Sequence, residues 1–235
     1  MTDRIRVIDL GLADYERVQT LQGRLRRAVV DGRLPGVLLL LEHPPVVTLG
    51  SRGGSEDLRP RSPEESMELP VCRAERGGRA TLHAPGQLVS YPIVPLPRRD
   101  LRAYVAALEE VLIRLLADLG IDAHRSVGRP GLYVEDRKIA SIGLRCERWV
   151  ASHGTSLNVD VDLELFGRIV SCGEEHLRQT SILAERGRIP SMTAVKAGYV
   201  DAFAHVLPWR PDVPVSVTPD DVAAYLGLSE ASALP

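Results

Sequence analysis

The sequence predicts a mixed α+β domain, in which helices flank a central β-sheet. Two segments, residues 15–30 and 101–119, repeat apolar side chains at the spacing of an amphipathic helix. Apolar or alternating runs of strand length lie before, between and after them. Because the chain shows no internal repeat and no clear linker before Gly187, we predict one main domain over residues 1–210 and a C-terminal appendage over residues 211–235.

Local signals predict the elements of the first half of the chain. Asp14 is placed to cap the first helix, since its carboxylate can accept a free amide of the first turn. Pro44 and Pro45 end a buried strand because they cannot donate ladder hydrogen bonds. The predicted elements are, in order, strand 5–10, helix 15–30, strand 37–41, strand 46–49 and an exposed loop over 51–70 that is rich in Gly, Ser, Pro, Glu and Arg.

Local signals also predict the elements of the second half of the chain. Gly120 is a natural stop for the long apolar-striped helix, because glycine accepts the left-handed conformation at a helix end. The predicted elements are helix 101–119, strands 131–134, 138–145 and 156–161 with a hairpin turn at 135–137, a short helix from 174 to about 180, helix 193–206, and one or two helical turns over 220–226.

Composition excludes several classes of protein. The 235 residues are 44% hydrophobic and 26% charged, as in ordinary globular proteins, and the net charge of −2 gives no general attraction to nucleic acid or anionic lipid. The charged N-terminus is unlike a signal peptide, and no apolar run approaches bilayer length. The three cysteines lack CxxC pairs, which argues against a disulfide framework, so we expect a reducing cytoplasm.

Cys172 and Lys138 are the strongest catalytic candidates. Cys172 precedes Gly173, which indicates a thiol on a turn, and a helix beginning at Glu174 would favour the thiolate through its dipole. Glu174 and Glu175 oppose that effect, so a cation is needed to favour the thiolate. Lys138 is the candidate cation, because the run after it is too apolar for a surface strand and places the lysine at the mouth of a buried region. The alternatives are a buried structural cysteine and a solvated lysine, and local pattern alone does not bring the two together.

Residues 76–87 form a second candidate site, and the histidines a third. Gly77 and Gly78 let a backbone approach a ligand and aim its amides at an acceptor, although a plain turn is the alternative. His43, His83 and His153 lack the spacing of metal ligands, so we predict no metal and no cofactor. We expect His83 and His153 to shape a substrate pocket.

The order of these motifs resembles the lipoate–protein ligase B family, the octanoyl-[acyl-carrier-protein]:protein N-octanoyltransferases. The resemblance covers about residues 38–181. It consists of Leu41-Glu-His-Pro44, Arg76-Gly-Gly78 with Thr81 and His83, Pro85-Gly-Gln-Leu88 with Tyr91-Pro92, Arg137-Lys138, Ser141-Ile-Gly143, His153-Gly154, Leu157-Asn158 and Cys172-Gly173.

The resemblance implies the fold of biotin and lipoate protein ligases and a thioester mechanism. Cys172 would take an octanoyl group from acyl carrier protein, and Lys138 would favour its thiolate and shuttle protons. The acceptor would be a lysine of a lipoyl domain of 2-oxoacid dehydrogenases or of the glycine cleavage H protein, with no nucleic acid or membrane partner, and the protein would be a monomer. The implied acyl-pocket residues are Arg76, Gly77, Gly78, Arg79, Ala80, Thr81, Leu82, His83, Ser141, Ile142, Gly143, Gly154, Thr155 and Ser156.

Some positions depart from the family pattern and keep alternatives open. Ala84 and Ser171 replace a glycine and a proline, Ser156 replaces an alanine, and residues 174–178 are unusually polar. The alternatives are an ATP-dependent lipoate or biotin-type ligase, an amidotransferase between lipoyl proteins, and a non-catalytic relative that binds carrier domains. For docking of an acidic carrier we name Arg52, Arg145 and Arg148, with ordinary solvated charges as the alternative reading.

Overall fold

The computed structural model describes residues 4–59, 69–96 and 98–228. The helices are α1 (Tyr15–Val30), α2 (Leu101–Asp118), α3 (Ile182–Arg186), α4 (Met192–Val206) and α5 (Val222–Tyr225). The strands are β1 (Arg4–Leu12), β2 (Val37–Glu42), β3 (Val46–Leu49), β4 (Val71–Arg73), β5 (Ala80–His83), β6 (Gln87–Pro95), β7 (His124–Ser126), β8 (Arg129–Val134), β9 (Arg137–Glu147), β10 (Val150–Asn158), β11 (Arg210–Pro211) and β12 (Val215–Ser216).

The strands form two sheets. Within the described residues, nine strands make a mixed sheet in the order β11-β1-β2-β6-β10-β9-β8-β7, with β12 also pairing to β1. The β1–β2 pair is parallel, whereas the pairs from β2 to β7 are antiparallel. A second sheet of β4, β3 and β5 packs as a separate small layer. The predicted mixed sheet flanked by helices is confirmed.

The large sheet is buried on both faces, which explains why its central strands read as continuous apolar runs. In β2, Leu38 and Leu40 pack toward α2 and α4, whereas Val37, Leu39 and Leu41 pack toward α1. The period of two along a strand sends successive side chains to opposite faces, so one strand serves both cores. Among the described residues, no helix is long and apolar enough to cross a membrane.

Most predicted elements are confirmed, because their signals are local. Helix α1 spans the predicted residues, and the Asp14 Oδ1 atom accepts a hydrogen bond from the Arg17 amide at 3.0 Å. Helix α2 ends at Asp118, one residue before the predicted boundary, and Gly120 has a φ of 71°. The strands at 131–134 and 138–145 lie within β8 and β9, and helix 193–206 lies within α4.

Two predicted elements are wrong. The strand expected at 156–161 is β10, which runs from Val150 to Asn158, so its alternation starts six residues earlier. The helix expected from Glu174 does not form. Instead, Lys138 makes a parallel bridge to Gln179, with its amide donating to the Arg178 carbonyl and its carbonyl accepting from the Thr180 amide. Sheet pairing to β9 therefore overrides a weak helical pattern in this segment.

The elements predicted from the sequence include no strand at β5 or β6. Pro92 lies in the middle of β6, between β2 and β10, and a proline normally argues against a central strand. The β6–β10 pairing lapses from Ser152 to Gly154, and His153 there has a φ of 57°. The strand tolerates Pro92 because no ladder bond is needed at this interruption. Gly154 fits because a Cβ at this position would overlap the Ser90 carbonyl oxygen.

The predicted exposed loop over 51–70 is irregular and largely exposed in its described part, with Asp57 and Leu69 as the buried residues. Residues 55–57 form a 3₁₀ turn, and the Asp57 side chain is fully buried against the Arg79 guanidinium at 2.9 Å. Residues 60–68 lie outside the described residues. In the C-terminal segment, β11 crosses the proposed boundary at residue 210 and pairs with β1, and residues 229–235 are not described. The division into a main domain and an appendage, like the monomeric state, stays a prediction.

Replacing Gly154 with alanine is expected to destabilise the fold, because the new methyl group meets the Ser90 carbonyl in the buried centre of the sheet. Overpacking of this kind costs roughly 1–3 kcal/mol of unfolding free energy. Urea unfolding measures the change. Gly167→Ala is the matched control, since no atom lies within 4 Å of its new methyl group. Equal stabilities of the two variants would contradict the close approach of β6 and β10.

Candidate active site

A cavity of about 320 Å³ brings the candidate residues together between the two sheets. Cys172 and Lys138 both line it. A larger depression of about 690 Å³ lies beside β1, where Arg4, Arg6 and Asp212 face Val213 and Val215. That depression contains no nucleophile or histidine among its described lining residues, so we assign the site to the smaller cavity.

The nucleophile turn presents Cys172 from a strained backbone. Residues Ser171–Gly173 form a 3₁₀ turn in which Cys172 has a φ of 57° and a ψ of 13°. This left-handed conformation costs about 1–3 kcal/mol for a non-glycine residue, and strained residues of this kind cluster at functional sites. The next residue, Gly173, also has a positive φ, and a Cβ there would overlap the Arg79 side chain. The turn is therefore held against Arg79, which Asp57 anchors.

Lys138 contacts the nucleophile directly. Its Nζ atom lies 3.3 Å from the Cys172 Sγ atom, and its side chain is almost entirely buried. The Lys138 backbone is fixed on both sides by the bridge to residues 178–180, which follow the nucleophile turn by a few residues. One short segment therefore places both reactive groups. The expectation that a helix dipole assists Cys172 is wrong, because no helix begins at Glu174.

Tyr133 and Gly131 shape the path of the lysine side chain. The Lys138 Nζ atom lies 5.4 Å from the centre of the Tyr133 ring, and the ring face attracts a cation. Gly131 has a φ of 118°, and a Cβ there would lie 2.9 Å from the Lys138 Cε atom. A side chain at this position would push the ammonium away from the thiol.

Arg76 supplies a buried positive charge beneath the cavity. Its guanidinium donates to the Thr48 carbonyl at 2.9 Å, to the Thr48 hydroxyl at 2.7 Å and to the carbonyls of Gly77 and Arg79. These acceptors are neutral, and no carboxylate pairs with it among the described residues. Burial lowers the Arg76 pKa, and the nearby Tyr15, Tyr91 and Cys172 side chains oppose that effect. An uncompensated cation of this kind stabilises negative charge that develops nearby.

The buried histidines are neutral hydrogen-bonding groups. His43 donates from Nδ1 to the Ala13 carbonyl at 2.6 Å and accepts at Nε2 from the Tyr91 hydroxyl at 3.0 Å. Burial lowers the pKa of His43 to about 4. The pKa of His153 is lowered to about 3, mainly by burial and to a smaller extent by the positive charges of Arg76, Arg26 and Arg145. No three His, Cys, Asp or Glu side chains in the described parts of the chain are placed to hold a metal ion.

Almost all of the pocket residues predicted from the sequence line the cavity. They are Arg76, Gly77, Gly78, Arg79, Ala80, Thr81, His83, Ser141, Ile142, Gly143, Gly154, Thr155 and Ser156, together with His153. Leu82 is the exception, because the alternation of β5 turns it into the core around Leu49 and Phe166. Its neighbours Thr81 and His83 point to the cavity instead.

Sequence reasoning missed several lining residues. Tyr15 enters from the first turn of α1, Leu101 and Val105 from α2, Tyr91 from β6, Arg129 from β8, and Glu174 from the segment after the nucleophile. No local pattern points to Arg129, since its hairpin carries no catalytic motif. Glu174 was noted only as a charge that opposes the thiolate.

The three arginines named for docking differ in their surroundings. Arg145 is paired with Glu75 at 2.7 Å and with Glu147 at 2.9 Å, so its charge is largely neutralised. Arg52 lines the cavity, and Arg148 is exposed on the turn between β9 and β10. Their role in docking stays a prediction.

Stability is expected to fall as pH drops from about 6.5 toward 4. The folded-state pKa of His43, about 4, lies below its unfolded value near 6.5, so the unfolded chain binds more protons in this window. Each such histidine contributes a slope of about 1.4 kcal/mol per pH unit. His43→Gln should reduce the slope of unfolding free energy against pH by that amount. His205→Gln, at an exposed site on α4, is the control, and an unchanged slope in His43→Gln contradicts the buried neutral state.

Comparison with known proteins identifies the family of the chain. The model of the lipoyl protein ligase A/B catalytic domain matches residues 14–204. The octanoyltransferase of Syntrophotalea carbinolica is 45% identical over 86% of this chain and 95% of its own length. That of Geobacter sulfurreducens is 42% identical over 94% of both chains.

Solved structures share the fold at low sequence identity. A lipoate-protein ligase A bound with ATP superposes with a TM-score of 0.70 at 16% identity, covering 95% of this chain and 94% of its own. A bipartite lipoate protein ligase from Thermoplasma acidophilum, described with its E2 lipoyl domain, gives 0.71 at 14% identity and full coverage of both chains. The chain therefore belongs to the lipoyl protein ligase A/B catalytic domain family.

Proposed function

We propose that this acyltransferase carries an octanoyl group on Cys172, as a thioester, during octanoyl transfer in lipoate biosynthesis. Octanoyl transfer follows from the identity to curated octanoyltransferases over most of the chain. The thioester rests on one observation, the 3.3 Å contact between the Lys138 Nζ and Cys172 Sγ atoms inside the cavity. An ammonium at this distance favours a thiolate, which is the nucleophilic form of cysteine.

In the first half-reaction the Cys172 thiolate attacks the carbonyl carbon of octanoyl-acyl carrier protein. A new C–S bond forms, and the carbonyl oxygen becomes an oxyanion near the positive charge of Arg76 and the glycine-rich backbone of residues 76–78. The bond to the carrier sulfur then breaks. The leaving carrier thiolate takes a proton from the Lys138 ammonium, so charge and protons balance.

In the second half-reaction an acceptor lysine of a lipoyl domain attacks the thioester. The C–N bond forms, the bond to the Cys172 sulfur breaks, and the neutral Lys138 amine takes the proton that the attacking nitrogen releases. This restores the ammonium–thiolate pair for another cycle. Amine attack on a thioester is favourable, so the reaction needs no ATP.

The partners follow from the family and its relatives. Members of this family act on lipoyl domains, and we propose those of 2-oxoacid dehydrogenases or the glycine cleavage H protein as acceptors. Acyl carrier protein is the proposed donor because it presents octanoyl as a thioester, which a thiolate can exchange without loss of activation.

Incubation with octanoyl-acyl carrier protein, without ATP, is expected to add one octanoyl mass to the intact protein. Hydroxylamine should remove it, because a thioester is cleaved by this nucleophile. Cys172→Ser should lose the adduct, whereas Cys146→Ser, at a partly buried thiol outside the described cavity lining, should keep it. Mass spectrometry of the intact protein reads the result. An adduct that persists in Cys172→Ser overturns the proposal.

Lys138→Met is expected to slow acylation at neutral pH by about 100-fold or more, because general acid–base groups contribute roughly 10²–10⁴ in rate. Raising the pH should recover part of the loss, since solvent then deprotonates the thiol. Arg137→Met is the matched control, as its guanidinium pairs with Glu185 at 2.9 Å rather than with the nucleophile. Rapid-quench acylation rates from pH 6 to 9 test this, and a profile identical to the unmodified protein removes Lys138 from the mechanism.

A further inference from the structure

The cavity has a marked imbalance of charge. Among its described lining residues, Glu174 is the one carboxylate, whereas five are cations. These cations are Arg52, Arg76, Arg79, Arg129 and Lys138. Arg79 is paired with Asp57 and Arg129 with Glu174, which leaves Arg52, Arg76 and Lys138 without a carboxylate partner among the described residues. Such a site attracts an anionic ligand and repels a cationic one. An acceptor lysine arrives as an ammonium at neutral pH, so its approach requires a local anion.

Glu174 is the anion in position to meet it. It follows the nucleophile turn by one residue, and its side chain is about a third exposed at the cavity. The Nε and Nη2 atoms of Arg129 donate hydrogen bonds to the two carboxylate oxygens of Glu174, which makes a bidentate ion pair. The guanidinium is itself fixed 4.7 Å from the centre of the Tyr133 ring. The direction of the carboxylate is therefore set by its two hydrogen bonds with Arg129.

The ion pair leaves room for a second cation. A carboxylate has about four lone-pair sites, and the bidentate contact with Arg129 occupies one on each oxygen. No other side-chain donor contacts Glu174 among the described residues. An ammonium can therefore bind the remaining lone pairs while Arg129 holds the carboxylate in place.

We propose that Glu174 forms a primary-ammonium subsite, which receives the ε-ammonium of the acceptor lysine beside the acylated Cys172. The ammonium releases one proton to solvent before its amine attacks the thioester, and the neutral Lys138 amine takes the second proton as the C–N bond forms. Arg129 acts as a positioning residue through the carboxylate. The inference rests on the proposed function, because an acceptor amine is needed only if Cys172 is acylated. In this proposal Glu174 acts in the second half-reaction, when the acceptor amine binds, and has no role in the first.

The test separates the two half-reactions. Octanoyl-loaded protein is mixed with increasing concentrations of a lipoyl domain, or with hydroxylamine, which is uncharged at neutral pH. We expect Glu174→Gln to raise the lipoyl-domain concentration for half-maximal transfer by roughly ten- to a hundredfold, as for loss of a hydrogen bond between charged groups. Its rate with hydroxylamine and its acylation by octanoyl-acyl carrier protein should match those of the unmodified protein.

Two further variants make the result specific. Glu175→Gln removes the exposed neighbouring carboxylate and should leave the acceptor dependence unchanged. Arg129→Gln breaks the same ion pair but keeps Glu174, and its effect should be smaller than that of Glu174→Gln. Arg129→Gln and Glu174→Gln could instead slow transfer equally, with lipoyl domain and with hydroxylamine. That result would show that the ion pair is only structural and would overturn the subsite. If the unmodified protein takes up no octanoyl group, the proposed function fails, and the subsite fails with it.

Discussion

The contact between the Lys138 ammonium and the Cys172 sulfur is the interaction on which the site depends. The two residues are 34 positions apart, yet one segment holds both, because residues 178–180 pair with the backbone of Lys138 shortly after the nucleophile turn. Cys172, which is partly buried, adopts a left-handed backbone, and the partly buried ion pair of Asp57 with Arg79 supports that turn. Displacing either support would separate the lysine from the thiol.

The charges around the cavity act on the same two residues, Lys138 and Cys172. Arg76 is bonded to neutral oxygens, so its charge remains available to negative groups that form during the reaction. Burial keeps His43 and His153 uncharged, so neither residue adds further positive charge to the cavity. The cationic surroundings suit a thiolate and an oxyanion, and Glu174, held by Arg129, is the one carboxylate among the described lining residues.

The sequence predicts much of this fold, but little of the geometry that makes the site. Helix α1, its Asp14 cap and the strands around Lys138 follow from local periodicity. β6 was missed because Pro92 is tolerated only where the pairing with β10 lapses, which is a property of two strands together. The helix expected after Gly173 failed for a similar reason, since pairing with Lys138 determines that segment. Local pattern named Cys172 and Lys138 as candidates, and their resemblance to a family joined them. Arg129 enters the cavity lining from the hairpin of β7 and β8, and no local pattern encodes that placement.

Kinetic competence of the octanoyl thioester tests the central claim most directly. In a single-turnover rapid-quench experiment, octanoyl-acyl carrier protein and lipoyl domain are mixed with the protein, and octanoyl-Cys172 is followed over time. The thioester should form and decay at rates no slower than steady-state turnover, with octanoyl-lysine appearing as it decays. Octanoyl-lysine that forms faster than separately prepared octanoyl-Cys172 protein transfers its acyl group to the lipoyl domain would contradict transfer through Cys172.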